Sequence, residues 1–186
     1  MKSFPGFDVR IDPWAVDYGG ETPTQFQPEA EDPSAVELGV ERDVADWKPI
    51  LPPDSLRQDQ PLSFVDGVRR MEARLVLTRE GRVIHGALGA FGVGVVECRD
   101  GRATFGEERR GRLAIFGAGE KPPSPVELAP GLVYAPRSVP EEEPDAPLRG
   151  LHEEMRAAER LLAKDHAATD RIVLADGPVA LDEATR

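Results

Sequence analysis

Apolar residues fall at strand-like spacing through the middle of the chain and at helical spacing near its end. From Val65 to Thr78 one long strand is expected: Val68, Met71, Ala73, Leu75 and Leu77 supply much of its apolar surface, and Arg70, Glu72, Arg74 and Val76 sit on the other parity. Glu80-Gly81-Arg82 reads as a turn, and Val83 to Cys98 as a second strand carrying glycines at 86, 89, 92 and 94. These glycines suit close packing within a sheet. Arg99-Asp100-Gly101-Arg102 is the next turn, and its Asp-Gly step is a strong hairpin signal. Ala103 to Phe116 gives a third strand, with an interruption expected near Gly111. Strands joined by such tight turns run antiparallel. Gly117 to Pro147 reads as a Pro- and Glu-rich crossover. The period then becomes helical from Leu148 to His166, where Leu151, Met155, Ala158 and Leu162 share one stripe. A short apolar strand follows from Arg171 to Asp176.

The order is β-β-β-α-β, with the last strand expected to lie parallel to the first. That is the opening half of a ribonuclease-H-like α/β fold: three antiparallel strands, a crossover helix and a parallel strand, incomplete at the C-terminus. The domain expected is 61–186. Residues 1–60 are rich in Pro, Asp and Glu, with Trp14, Tyr18, Phe26 and Trp47 as their few anchors. They read as an extended arm with short structured pieces that lies on something else.

Charge narrows the function classes. With 34 acidic and 23 basic residues the net charge is -11, which does not fit a protein that grips nucleic acid with its whole surface. Local basic strips such as Arg69-Arg70 and Arg109-Arg110-Gly111-Arg112 remain available to a polyanion. The single Cys98 excludes an intramolecular disulfide and fits a reducing compartment. No signal peptide and no run of membrane-spanning length is read, so a cytoplasmic, non-membrane location is expected.

Two apolar runs end in Asp-Gly: Ser63-Phe64-Val65-Asp66-Gly67 and Ile172-Val173-Leu174-Ala175-Asp176-Gly177. Either pair alone reads most simply as a turn. Together, in this topology, they bring two carboxylates to one sheet edge, and paired oxygen donors are the usual protein contribution to a Mg²⁺ or Mn²⁺ site. The helix offers a third carboxylate. Glu154 falls in the apolar flank of the stripe, where an unpaired charge is costly, and neither Arg156 nor Arg160 has a favourable helical spacing from it. Glu159 lies on the other margin as a weaker candidate, and Glu153 faces solvent. No Cys/His cluster suggests zinc, and the glycines at 86 to 94 lack the Lys-Ser/Thr of a phosphate loop.

Phe64-Val65-Asp66-Gly67, the helix Leu151-His152-Glu153-Glu154-Met155-Arg156, and Leu174-Ala175-Asp176-Gly177-Pro178 resemble the NurA nucleases of bacteria and archaea. The resemblance covers about residues 61 to 181. It implies a Mn²⁺- or Mg²⁺-dependent DNA nuclease acting in double-strand-break end resection with a HerA-type hexameric ATPase. It also implies a homodimer and Asp66, Glu154 and Asp176 as metal ligands and catalytic residues. The family is normally longer, with further C-terminal catalytic residues including a His. The expectation is therefore an N-terminal portion of such an enzyme, with weak metal binding and little cleavage by itself. Two other classes stand beside it. One is a catalytically inert adaptor or dimerisation module for a DNA-translocating ATPase. The other is a sugar-kinase or actin-like nucleotide fold, disfavoured because Gly67 is followed by Val68-Arg69-Arg70 and not by a Gly-rich phosphate hairpin.

Overall fold

The computed structural model describes residues 4–12, 46, 48–49, 60–167 and 171–175. Its elements are β1 (Asp8–Asp12), β2 (Leu62–Arg79), β3 (Arg82–Arg99), β4 (Arg102–Phe116), β5 (Val126–Ala129), β6 (Leu132–Ser138), α1 (Ala146–Ala167) and β7 (Ile172–Ala175). Long β2, β3 and β4 form an antiparallel meander. Both turns of the meander place two consecutive residues at positive φ, Glu80 (52°) with Gly81 (78°) and Asp100 (51°) with Gly101 (72°). This is the two-residue hairpin geometry whose twist matches the strands it joins.

α1 crosses back over the sheet and delivers β7 parallel to β2, in the register Leu62↔Ile172 to Val65↔Ala175. The expected order of three antiparallel strands, helix and parallel strand is thus present. The molecule as a whole is mostly β, a curled half-barrel of mixed sheet with one long helix.

Three features differ from the sequence reading. First, residues 8–12 form β1, which pairs antiparallel with β2 from Asp8↔Thr78 to Asp12↔Arg74. Phe4 is buried in the core beneath the sheet, with Phe7 and Val9 packed against it. Residues 13–45 and 50–59 of the expected arm lie outside the described residues. Second, the crossover contains the β5–β6 hairpin, and β6 joins the edge of β4 in parallel. Third, β4 runs unbroken through Gly111. The space above Gly111 is filled by the ring of Phe91, where a Cβ would collide.

The sheet has a core on each face, and a bulge in β2 divides them. Met71 pairs with Gly89 but Ala73 with Leu88, so β2 takes two steps against one of β3. A bulge of this kind switches the parity of its strand. N-terminal to it, Val65 packs with Val93, Val95, Met155 and Leu162 beneath α1. C-terminal to it, Ala73, Leu75 and Leu77 face the other side and join Ile84, Leu88 and Phe116 inside the curl. The sequence reading counted Val68 with Met71, Ala73, Leu75 and Leu77 as apolar surface, but Val68 stands on the other parity from Val65 and is exposed (64%), on the face away from the helix.

α1 begins where the Asp145 carbonyl accepts from the Leu148 and Arg149 amides. Pro147 stands in the first turn, where its missing N–H costs nothing, and Lys164 and His166 complement the last turn. Leu151, Met155 and Leu162 are buried as the stripe required, with Ala158 packed beside them. Leu161, on the same flank as Glu154, is exposed instead.

Candidate functional site

The β2–β7 pairing is where the two Asp-Gly runs meet. Val65 stands opposite Ala175 at the last described pair, one residue before Asp66 and Asp176. Asp176 itself lies outside the described residues. Asp66 follows a residue that packs under α1, so the strand pleat turns its side chain to the opposite face. There it is exposed, and its Oδ1 accepts a 2.8 Å hydrogen bond from the amide of Gly67.

Glu154 lies elsewhere. Its Oε1 accepts a 2.7 Å bond from Arg137 Nε, a residue of β6. The pair sits in a cleft of about 290 Å³ between α1 and the ends of β4 and β6, lined also by Ile115, Val139 and Arg160. Sequence spacing could not find this partner, because Arg137 is 17 residues away on another element. At 46% and 36% side-chain exposure the pair is solvated and contributes about 0–1 kcal/mol. Glu154→Gln is therefore expected to leave the thermal midpoint within about one degree of wild type, measured by calorimetry, since a few tenths of a kcal/mol move a chain of this size very little.

The helix carboxylate that reaches β2 is Glu159. Its carboxylate occupies the space where a side chain at position 67 would stand, so Gly67 is needed for the approach. Glu159 thus lies on the α1 side of the sheet, the face opposite to the Asp66 side chain. Among the described residues, no group of three or more His, Cys, Asp or Glu side chains is placed to hold a metal ion. Of the three expected ligands, Asp66 faces away from α1 and Glu154 engages Arg137 in the cleft, while Asp176 lies outside the described residues.

Two further clusters tie α1 to the sheet. Arg69 Nε donates to His152 Nδ1 at 3.2 Å, which requires a neutral imidazole. Burial, followed by the charges of Arg69 and Arg156, holds His152 below its ordinary pKa. At the other end of α1, Arg171 donates to Ser63 Oγ (3.0 Å) and Glu97 Oε1 (2.9 Å), and Asp165 takes Arg109 at 2.7 Å. Cys98 is a partly buried free thiol on β3.

Inside the curl, Tyr134 donates its hydroxyl to Glu72 at 2.6 Å. Burial first, then the bond and charge of Glu72, push this phenol up to about 12. A phenol whose folded pKa exceeds its unfolded value of about 10 gives stability that is intact below pH 10 and lost as pH rises toward 12. Unfolding in urea at stepped alkaline pH should show this loss, and Tyr134→Phe should flatten the profile between about pH 10 and 12.

Among the described residues, no element covers the face opposite α1 over the half of the sheet around Asp66. Leu174, Phe64, Val96 and Phe105 form one row across β7, β2, β3 and β4. Of these, Phe105 is 94% exposed, Leu174 44% and Phe64 43%. Neighbouring rows carry Asp66, Gly94 and Glu108, then Val68, Gly92 and Arg110, then Arg70, Ala90 and Arg112. No protein-family model matches the chain, and no curated protein matches it in sequence. None of the described helices is long and apolar enough to cross a membrane.

Proposed function

We propose that the chain is a ribonuclease-H-like domain of the NurA type, a divalent-metal-dependent DNA phosphodiesterase that works in end resection with a HerA-type ATPase. The observation that carries this reading is the parallel register of β2 and β7, which closes at Val65↔Ala175 immediately before Asp66 and Asp176. In this reading the oxygen donors are Asp66 and Asp176, at the ends of adjoining strands. Glu159 lies nearer β2 than Glu154, which engages Arg137, but it stands on the α1 side of the sheet and Asp66 on the other, so the strand carboxylates carry the reading. A bound Mn²⁺ or Mg²⁺ would lower the pKa of an attacking water and offset charge on the phosphorus. The chain's own part is to hold the cation through hard carboxylates and to present Arg70, two residues beyond Val68 on the same face, to a phosphate.

Mn²⁺ titrations followed by thermal melts test the reading. A cation that binds only the folded state raises its midpoint by mass action. Wild type should shift upward, Asp66→Asn and Asp176→Asn should lose most of the shift, and Glu154→Gln should keep it. No shift in wild type would sink the nuclease reading. It would leave the inert adaptor for an ATPase, which the engagement of Glu154 by Arg137 already favours as the second reading.

A further inference from the structure

We infer that the open sheet face opposite α1 is a binding surface for single-stranded DNA, with unpaired bases stacked on Phe105 and Phe64 and the backbone tracked by Arg70, Arg110 and Arg112. This rests on the proposed DNA-processing role and adds to it where the strand lies and in what form.

Three observations converge on that face. The first is the aromatic row. A contiguous exposed apolar patch marks an interaction site, and Phe105 (94% exposed), Val68, Leu174 and Phe64 share this face. Phe64 and Phe105 flank Val96 on the same row, two strands apart. Strands lie about 4.8 Å apart, so the two rings stand roughly 10 Å from each other. Aromatic side chains displayed on an open sheet are how β-surfaces stack unpaired bases.

The second is the floor. Along β3 the residues facing this side are Ala90, Gly92 and Gly94, between longer side chains of β2 and β4. A Cβ at Gly92 or Gly94 would meet nothing nearer than a backbone oxygen at 4.0 Å. These glycines are therefore not required by internal packing, unlike Gly89, which lies under Leu151 on the helix side. They leave a shallow trough along β3 that begins at the aromatic row.

The third is charge. Against a chain of net charge -11, this face sets Arg70, Arg110 and Arg112 against Asp66, Glu108 and Glu72. Glu108 engages Arg110, and Glu72 lies 3.8 Å from Arg112. The trough is thus neutral where the molecule at large is acidic, and Arg110, whose partner Glu108 is solvated, can exchange that carboxylate for a phosphate at little cost. The arginines lie on the far side of Asp66 from the aromatics. A strand with its bases on the Phe64–Phe105 row and its backbone running toward Arg110 and Arg112 passes over Asp66.

The test uses the full chain in EDTA, so that binding is read without metal or cleavage. Fluorescence anisotropy of a labelled oligothymidylate of about twelve nucleotides, within the known span of single-strand sites, is compared with a blunt duplex of the same length. The single strand should bind more tightly. Phe105→Ala should weaken it about tenfold, as loss of one stacked base does, with the salt dependence unchanged. Arg110→Gln should instead lower the salt slope by about 0.7. Gly92→Val should fill the trough and weaken binding while the melting midpoint holds. Phe105→Ala binding like wild type, or equal affinity for duplex, would overturn the inference. So would a Phe105→Ala chain that loses self-association but keeps its DNA affinity, because the face would then belong to a second copy. The Mn²⁺ melts report separately on the carboxylate site. A wild type that shifts with Mn²⁺ while Phe105 is irrelevant to DNA loses this inference alone. A wild type that binds the oligonucleotide through Phe105 without any Mn²⁺ shift loses only the nuclease reading.

Discussion

Replacing Leu151 with Ala is expected to destabilise the chain by about 3 kcal/mol, within the range of large-to-small changes at sites that cannot collapse. Leu151 is fully buried where α1 crosses β3 and β4, packed with Leu113 and Ile115. Its two methyl groups fill the space above Gly89, and the Arg70 carbonyl would lie only 3.3 Å from a Cβ placed there. The strands beneath are held by their ladder and cannot move up to fill the void, so most of the cavity would remain. The fall in thermal midpoint should be roughly 6–12 °C for a chain of this length. Gly89→Ala probes the same contact from the other side. It overfills the site and should cost about 1–3 kcal/mol. In Leu151→Ala/Gly89→Ala the new methyl occupies part of the cavity, so the double variant should be more stable than the two single losses added together. A strictly additive double variant would show that the helix and sheet do not meet at this point.

The parts of the fold that were legible in the sequence are those fixed by local chemistry. Asp100-Gly101 dictates a hairpin whatever surrounds it, and the stripe Leu151, Met155, Ala158, Leu162 defines the buried side of α1 without reference to the sheet. The parts that were not legible depend on distant neighbours. β1 is Asp-Val-Arg-Ile-Asp, five mostly exposed residues whose apolar face is only Val9 and Ile11, too short a pattern to mark a strand. It is a strand because β2 offers it an edge and Phe116 offers its neighbours Phe4 and Phe7 a core. β6 contains Pro136, which the sheet tolerates because β6 lies near its margin, beyond β4. The bulge at Glu72 has no sequence signature, since Val65, Met71, Ala73, Leu75 and Leu77 keep one sequence parity through it although its two sides face opposite ways. That bulge is what sends Leu75 and Leu77 to one face while Val65 faces the other, and so leaves Phe64, Asp66 and Val68 on an open surface.

The candidate site divides along the same line. Two apolar runs ending in Asp-Gly suggested two strands side by side, and the parallel ladder joins those runs as far as Val65↔Ala175. The choice of helix carboxylate was a matter of tertiary contact. A wheel shows that Glu154 borders the apolar stripe, but it cannot show that Arg137 waits there on β6, nor that Gly67 leaves room for Glu159. Periodicity likewise ranked Phe105 as one more apolar residue of a third strand. Only the register, with its bulge between Gly94/Val96 and Glu108/Phe105, puts that ring on the open face.

The second large effect is expected at Phe116, where the N-terminal segment is held. Phe116 is fully buried, and its ring meets Phe7 edge-on at 5.3 Å and Phe4 at 5.9 Å. Phe116→Ala removes the surface on which both rings rest and should cost about 3–5 kcal/mol. The loss should not be uniform. β1 adds to an edge of β2 through one five-residue ladder, and a short added strand depends on the packing of its flanks. Local openings of this kind lie well below the global unfolding free energy. Amide hydrogen exchange should therefore accelerate most in residues 8–12 of the variant, while the β2–β3 ladder below the helix, from Leu62 to Met71, stays protected. Phe7→Ala should reproduce the local effect with a smaller global loss, because Phe7 is only partly buried and Arg79 stacks over its outer face at 5.3 Å. If β1 amides exchange in Phe116→Ala no faster than those of the central ladder, the N-terminal strand is held by its hydrogen bonds alone, and the aromatic contact does not anchor it.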